Sequence, residues 1–219
     1  MELLKAENVS FTYRNRGQQV QAVRDVTCSF RPGQCYAIVG KSGSGKTTLL
    51  SLLAGLELPT EGQILFRGQS TAELDADLYR RDHAAVIYQN YNLFPLLTAE
   101  ENVLYPMKLK NAPGSRETAR AQLLAVGIQE SQFRRFPAQL SGGEQQRVAI
   151  ARALAAGNPI ILADEPTGNL DITNSEQIVE ILLRLAHREG RCVIIITHDL
   201  EIASQADIIY TMRDGQLIP

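Results

Sequence analysis

The sequence predicts an α/β fold that carries an inserted helical segment. Strand-like and helix-like stretches alternate at both ends of the 219-residue chain, and helix-type composition fills the middle. A glycine-rich loop between an apolar strand and a helical pattern marks the point where such a fold usually binds a ligand. The length suits one large domain, or one domain with a subdomain inserted. Hydrophobic residues make up 44% and charged residues 21%, an ordinary globular balance. Lys and Arg total 22 against 24 Asp and Glu, a net charge of -2, so no basic excess points to nucleic acid. The longest uncharged stretch, Ala84 to Ala99, is broken by Gln89, Asn90, Asn92 and Pro95, and no membrane span is expected. The opening MELLKAENVS lacks the apolar core of a secretion signal. A soluble, cytosolic chain is the expectation. Cys28, Cys35 and Cys192 have no Cys-x-x-Cys spacing and read as small buried residues on strands.

Each element follows from local pattern. Val26 to Phe30 alternates apolar and polar residues, as a half-buried strand does, and Gln34 to Val39 is a second strand running into glycine. Thr47 to Leu56 reads as a buried helix, Pro59 to Gly62 as a turn, and Ile64 to Phe66 and Ala84 to Tyr88 as strands. Thr98 followed by Glu101 is a capping-box pattern, and Ser115 to Val126 is a helix with Gly127 just past its end. Ile160 to Ala163 is a short apolar strand. Thr173 to Glu189 is a helix with Ile178, Ile181, Leu182 and Leu185 on one face. Cys192 to Thr197 is β-branched almost throughout, as expected of a strand buried on both faces. Asp207 to Met212 and Gln216 to Ile218 form a hairpin across Asp214-Gly215.

Gly40-Lys41-Ser42-Gly43-Ser44-Gly45-Lys46-Thr47 matches the phosphate-loop pattern G-x-x-x-x-G-K-[ST], between a strand and a helix as that motif requires. Its glycines let successive N–H groups turn inward toward phosphate oxygens, and the helix start adds a partial positive charge. Lys46 is placed to reach the β- and γ-phosphates and the Thr47 hydroxyl to bind Mg²⁺. The motif alone is compatible with kinases, GTPases, helicases and transport ATPases. A second strand, Ile160 to Ala163, ends in Asp164-Glu165. Asp164 fits as the residue that holds Mg²⁺, and Glu165, pointing differently, as the base for an attacking water. Gln89 and His198 also follow strands directly, at the ends where α/β folds bind ligands. Gln89 could touch Mg²⁺ or the water, and His198 the γ-phosphate. Judged alone, each reads first as an incidental strand-end residue.

Leu140-Ser141-Gly142-Gly143-Glu144-Gln145-Gln146-Arg147 is a second helix start, with Ser141 as its N-cap. With this segment the sequence resembles the ATP-binding subunits of ABC transporters, over nearly the whole chain. The resemblance implies a phosphate-loop NTPase (RecA-like) core, an N-terminal antiparallel β subdomain and an inserted helical signature subdomain. It divides the chain into a core of about 1–95 and 159–219 and a helical part of about 96–158. It implies that ATP is held by Gly40, Lys41, Ser42, Gly43, Ser44, Gly45, Lys46, Thr47 and Thr48. Tyr13 is implied as the aromatic that stacks on adenine, with Phe11 and Tyr36 as less well placed alternatives. Glu165, His198 and Gln89 take the catalytic roles, and Thr47, Gln89 and Asp164 bind Mg²⁺. Two subunits would pair head to tail around two ATP molecules, with Ser141 and Gly143 of one completing the site of the other. Asp171 would contribute from the loop Asn169-Leu170-Asp171. No catalytic position is degenerate, so an active ATPase is expected.

Asn90 to Leu97 is apolar and aromatic and, by resemblance, lies near the surface that receives an integral membrane permease subunit. That places the protein peripherally at the cytoplasmic face of the membrane, with no nucleic-acid partner. The stretches Asp164 to Asp171 and Glu100 to Val103 look most like the lipoprotein-release, macrolide-export and antimicrobial-peptide subgroup. A regulatory ATPase of the cell-division type shares the same core residues and is the alternative. A non-transport ABC ATPase would need a long coiled coil or a second cassette. A small-molecule kinase would leave the signature unexplained. The chain ends soon after its final hairpin, so the C-terminal regulatory domain of some importers is not expected.

Overall fold

The computed structural model describes residues 1–15, 18–110 and 116–218. The chain begins with two long antiparallel strands, β1 (Leu4–Asn15) and β2 (Gln18–Phe30), paired from Leu4↔Phe30 to Tyr13↔Val20 and beyond. β3 (Cys35–Val39) then runs into the glycine-rich loop and α1 (Lys46–Leu53). β4 (Glu61–Phe66) and β5 (Gln69–Ser70) return to the first sheet, giving a four-stranded order β2-β1-β4-β5. After α2 (Ala76–Asp82) and β6 (Ala84–Tyr88) comes a helical run: α3 (Ala99–Leu109), α4 (Arg116–Ala125) and α5 (Gly142–Ala155). The chain then alternates through β7 (Ile160–Asp164), α6 (Ile172–His187), β8 (Cys192–Thr197) and α7 (Leu200–Ala203) to the hairpin β9 (Ile208–Arg213) and β10 (Gln216–Ile218). These strands form a second sheet of order β10-β9-β3-β8-β7-β6, parallel except for β10.

The parallel sheet is covered on both faces. Alternate residues of β8 divide between two cores: Val193 and Ile195 face α3 to α6, while Cys192, Ile194 and Ile196 face α1 and the antiparallel sheet. Helix starts are capped as their sequences suggest. Thr98 Oγ1 accepts from the Glu101 N–H (3.3 Å) and Glu101 accepts from the Thr98 N–H (2.9 Å). Ser141 and Glu144 make the same reciprocal pair at 3.3 and 2.7 Å. The three cysteines lie buried on β2, β3 and β8.

Several expectations shift. Glu61 and Gly62 belong to β4 rather than to a turn, because Gly62 (φ +74°) sits at a bulge where its backbone crowds β1; a Cβ there would meet Asn8 O at 2.2 Å. β1 and the first half of β2 carry no simple two-residue alternation, because their inward parity changes within each strand. Buried positions run Leu4, Ala6, then Val9, Phe11, with left-handed Asn8 between. In β2 they run Val23, then Val26, Cys28, Phe30, with left-handed Asp25 between. Helix α2, capped by the Asp75 side chain, was not anticipated either. Helix α1 ends three residues earlier than expected. Of the helix expected over Ser115 to Val126, Ser115 lies outside the described residues.

Ile194 is fully buried between β3 and β7, whereas Ile209 on β9 is 48% exposed. Ile194→Ala is expected to cost about 2–5 kcal/mol. Ile209→Ala should stay within about 0.5 kcal/mol. Urea denaturation midpoints of the two variants check the contrast.

Candidate functional site

Parallel register aligns the carboxyl ends of four strands. Val39 pairs with Thr197, Asp164 with Ile196, and Tyr88 with Asp164. The residues that follow them, or that end them, therefore emerge at one edge: Gly40, His198, Asp164 with Glu165, and Gln89. One open cleft of about 700 Å³ along this edge gathers Lys41, Ser42, Gly43, Gly45, Lys46, Thr47 and Thr48 with Gln89, Asp164, Glu165 and His198. Gly40 and Ser44 line an adjoining cleft on the far side of the loop, next to Met212 and also His198. Ala22 of β2 also lines the main cleft, and nothing in its local sequence pattern marks it.

The loop is built by close approaches. Gly45 (φ +102°) starts α1, and a Cβ on it would lie 2.2 Å from Ala22 O. Lys46 is buried, and its Nζ donates to Gly40 O (2.8 Å) and Lys41 O (3.1 Å). The Gly215 N–H in the final hairpin donates to Ser44 O at 3.0 Å and braces the loop from behind. The Thr47 hydroxyl donates to Asp164 Oδ1 at 3.4 Å. Burial pushes the Asp164 carboxyl above its ordinary pKa; the Thr47 hydrogen bond opposes this and the neighbouring Glu165 charge reinforces it.

Glu165 holds a left-handed backbone (φ +45°) that is uncommon for a side chain of its size, fixed by its N–H donating to Ile196 O at 2.9 Å. Its Oε1 lies 2.9 Å from His198 Nδ1. Gln89 Nε2 donates to Asn169 Oδ1 (3.4 Å), and Asn169 Nδ2 donates back to Gln89 O (3.2 Å). The cleft thus combines phosphate-type donors, a hydroxyl–carboxylate pair and a second carboxylate held by a histidine.

Other expected residues lie apart. Of the three aromatics weighed for stacking, Tyr36 is buried and Phe11 nearly so, while Tyr13 is 45% exposed. Tyr13 stands beside the cleft, its hydroxyl 3.3 Å from Thr48 Oγ1. Ser141, Gly143 and Asp171 do not line the cleft. Ser141 caps α5, and Asp171 caps α6 by accepting from the Asn174 N–H at 2.9 Å. Asn174 also accepts from Arg147 Nη1 (3.0 Å), tying α6 to α5. A separate apolar groove of about 380 Å³ lies against Leu56, Tyr88, Phe94, Tyr105, Leu109 and Arg152. Phe94 and Leu96 of the Asn90 to Leu97 segment are exposed. Among the described residues, no helix is long and apolar enough to cross a membrane.

A family model described as an ABC transporter matches residues 23–168. The chain is 42% identical over 217 residues to the uncharacterized ABC transporter ATP-binding protein YclH of Bacillus subtilis, covering 98% of this chain and 95% of that one. It is 43% identical over 219 residues to the macrolide export ATP-binding/permease protein MacB 2 of Aeromonas hydrophila, covering 98% of this chain and 34% of that longer protein. Among solved structures it is similar to the dimeric ABC transporter cassette MJ0796 of Methanocaldococcus jannaschii, with TM-score 0.92, 38% identity, and 99% and 97% of the two chains covered. The same cassette in a dimeric post-hydrolysis state bound to ADP and Pi gives a TM-score of 0.91.

The Asp164 pKa is raised in the fold, so its stabilising share is full when protonated, below the ordinary 3.8, and is lost as pH rises through the raised value. Asp164→Asn, neutral throughout, should raise the melting temperature of the nucleotide-free protein at pH 8. The gain should narrow as the pH falls toward 3.8. Thermal unfolding over a pH series without nucleotide checks this.

Proposed function

The chain belongs to the ABC transporter family as an ATP-binding protein, and from that premise we propose how its residues bind and hydrolyse ATP for a membrane partner. The observation that carries the proposal is the single cleft in which the phosphate loop, Asp164, Glu165, Gln89 and His198 meet. The triphosphate lies along the N–H groups of Gly40 to Thr48, including Ser44, with adenine against Tyr13. Lys46 turns from its loop carbonyls to the β- and γ-phosphates. Glu165 takes a proton from water as its oxygen attacks the γ-phosphorus, and the products are ADP and inorganic phosphate. His198 Nδ1 holds Glu165 in place and leaves Nε2 to contact the γ-phosphate.

Thr47 and Asp164 stand together on the cleft, with Gln89 in the same lining, an oxygen donor set of the kind Mg²⁺ prefers. Those three side chains would hold Mg²⁺, and the ion would supply charge neutralisation on the phosphates.

Ser141 and Gly143, which do not line the cleft of their own chain, serve the ATP of a second copy, and Asp171 joins them there. The dimeric state of the MJ0796 cassette supports a pair of subunits, and the resemblance implies that they meet head to tail. The helical part of about 96–158 and the core of about 1–95 and 159–219 work as two pieces of one domain. The name of the MacB relative joins ATP-binding and permease parts in one protein, which supports an integral membrane permease as partner here, of the export or mechanical-transmission type. It docks at the groove beside Phe94 and keeps the chain at the cytoplasmic face of the membrane.

Two outcomes follow. The purified chain should release phosphate from ATP with no acceptor present, and chelation of Mg²⁺ should stop it. Glu165→Gln should lower kcat by about 10²–10⁴-fold while ATP binding, followed with a fluorescent nucleotide, persists. An unchanged turnover rate in Glu165→Gln would sink the assignment.

A further inference from the structure

Arg152 lies in the last turn of α5, the helix whose cap is Ser141. Its Nη1 donates to Asn92 O at 2.6 Å and its Nη2 to Tyr91 O at 3.0 Å, and the guanidinium sits 5.8 Å from the centre of the Phe94 ring. The two carbonyls belong to successive residues in left-handed conformation, Tyr91 at φ +61° and Asn92 at φ +48°. Side-chain-bearing residues adopt that conformation rarely, and two in a row persist only where the surroundings hold them. A forked, always-charged guanidinium suits that grip in a way a point cation does not.

The same segment also touches the other end of α5. A Cβ on Gly142 would lie 2.8 Å from the Tyr91 hydroxyl and 3.6 Å from Leu170 Cδ2. Gly142 and Arg152 are about 15 Å apart along the helix axis. Two residues before Tyr91, Gln89 faces the cleft and exchanges hydrogen bonds with Asn169. The segment from Gln89 to Asn92 is thus joined to the cleft at one end and to both ends of the signature helix.

We propose that Arg152 is a positioning residue for ATP hydrolysis, fastening the loop that carries Gln89 to the helix that carries Ser141. The signature of one subunit then moves with that subunit's own Gln89. The proposal rests on the two-subunit site described above. In that dimer Ser141 serves the partner's ATP, so Arg152 links the occupancy of one site to the completion of the other.

The test uses the full chain in the Glu165→Gln background, where ATP is bound and consumed only slowly. ATP affinity of the dilute monomer and the ATP-dependent dimer dissociation constant are measured for Arg152, Arg152→Gln and Arg152→Lys. Arg152→Gln should bind ATP within about twofold of the parent, because Arg152 is absent from the cleft lining. Its ATP-dependent dimer should weaken about fivefold or more. Arg152→Lys, which keeps the charge and can satisfy one carbonyl, should fall between the two. Should Arg152→Gln not fold, Arg152→Lys carries the test with the same two constants. A folded variant with a lower melting temperature and a parental dimer constant would overturn the proposal and leave Arg152 a stabilising residue only. If the parent itself binds ATP and does not dimerise, the two-subunit reading fails first, whatever Arg152 does.

Discussion

The site depends on parallel strand register. Pairing of β3, β8, β7 and β6 in step brings four chain segments, widely separated in sequence, to one edge within a single cleft. A slip of one residue would turn every side chain of a strand to the opposite face. The near-complete burial of β3, β7 and β8 makes such a slip costly on both sides of the sheet. The hydrophobic core thus sets catalytic geometry as well as stability.

At that edge the fold works against local preference. Glu165 is held in left-handed backbone by a hydrogen bond to β8, and Asp164 is kept in surroundings that disfavour its charge. Both features cost free energy at this edge of the sheet. A cation beside Asp164 would offset the second of them, while the first is held by the β8 hydrogen bond itself.

The sequence was most readable where one chemical demand set the pattern. Cys192 to Ile196 is apolar throughout because both its faces are buried, and the strand keeps the bounds Cys192–Thr197 expected of it. The phosphate loop, the capped signature helix and the acidic strand end were equally plain. β1 and the start of β2 were hidden because bulges at Asn8 and Asp25 reverse the two-residue period partway along. Arg152 and Tyr91 could not be picked out, since their contacts run through backbone carbonyls and a glycine face, which leave no residue pattern. The placing of Ser141 outside its own chain's cleft was expected from the family resemblance, not from any local residue pattern.

One earlier detail bears on how the engine resets. The Lys46 ammonium holds two carbonyls of its own segment, those of Gly40 and Lys41. It keeps the loop wound around a positive charge. A phosphate that recruited Lys46 would displace two good hydrogen bonds, and its net gain would be the difference between new and old partners. Once such a ligand left, the amine would have those carbonyls to return to, and the loop would need no unfolding to be used again.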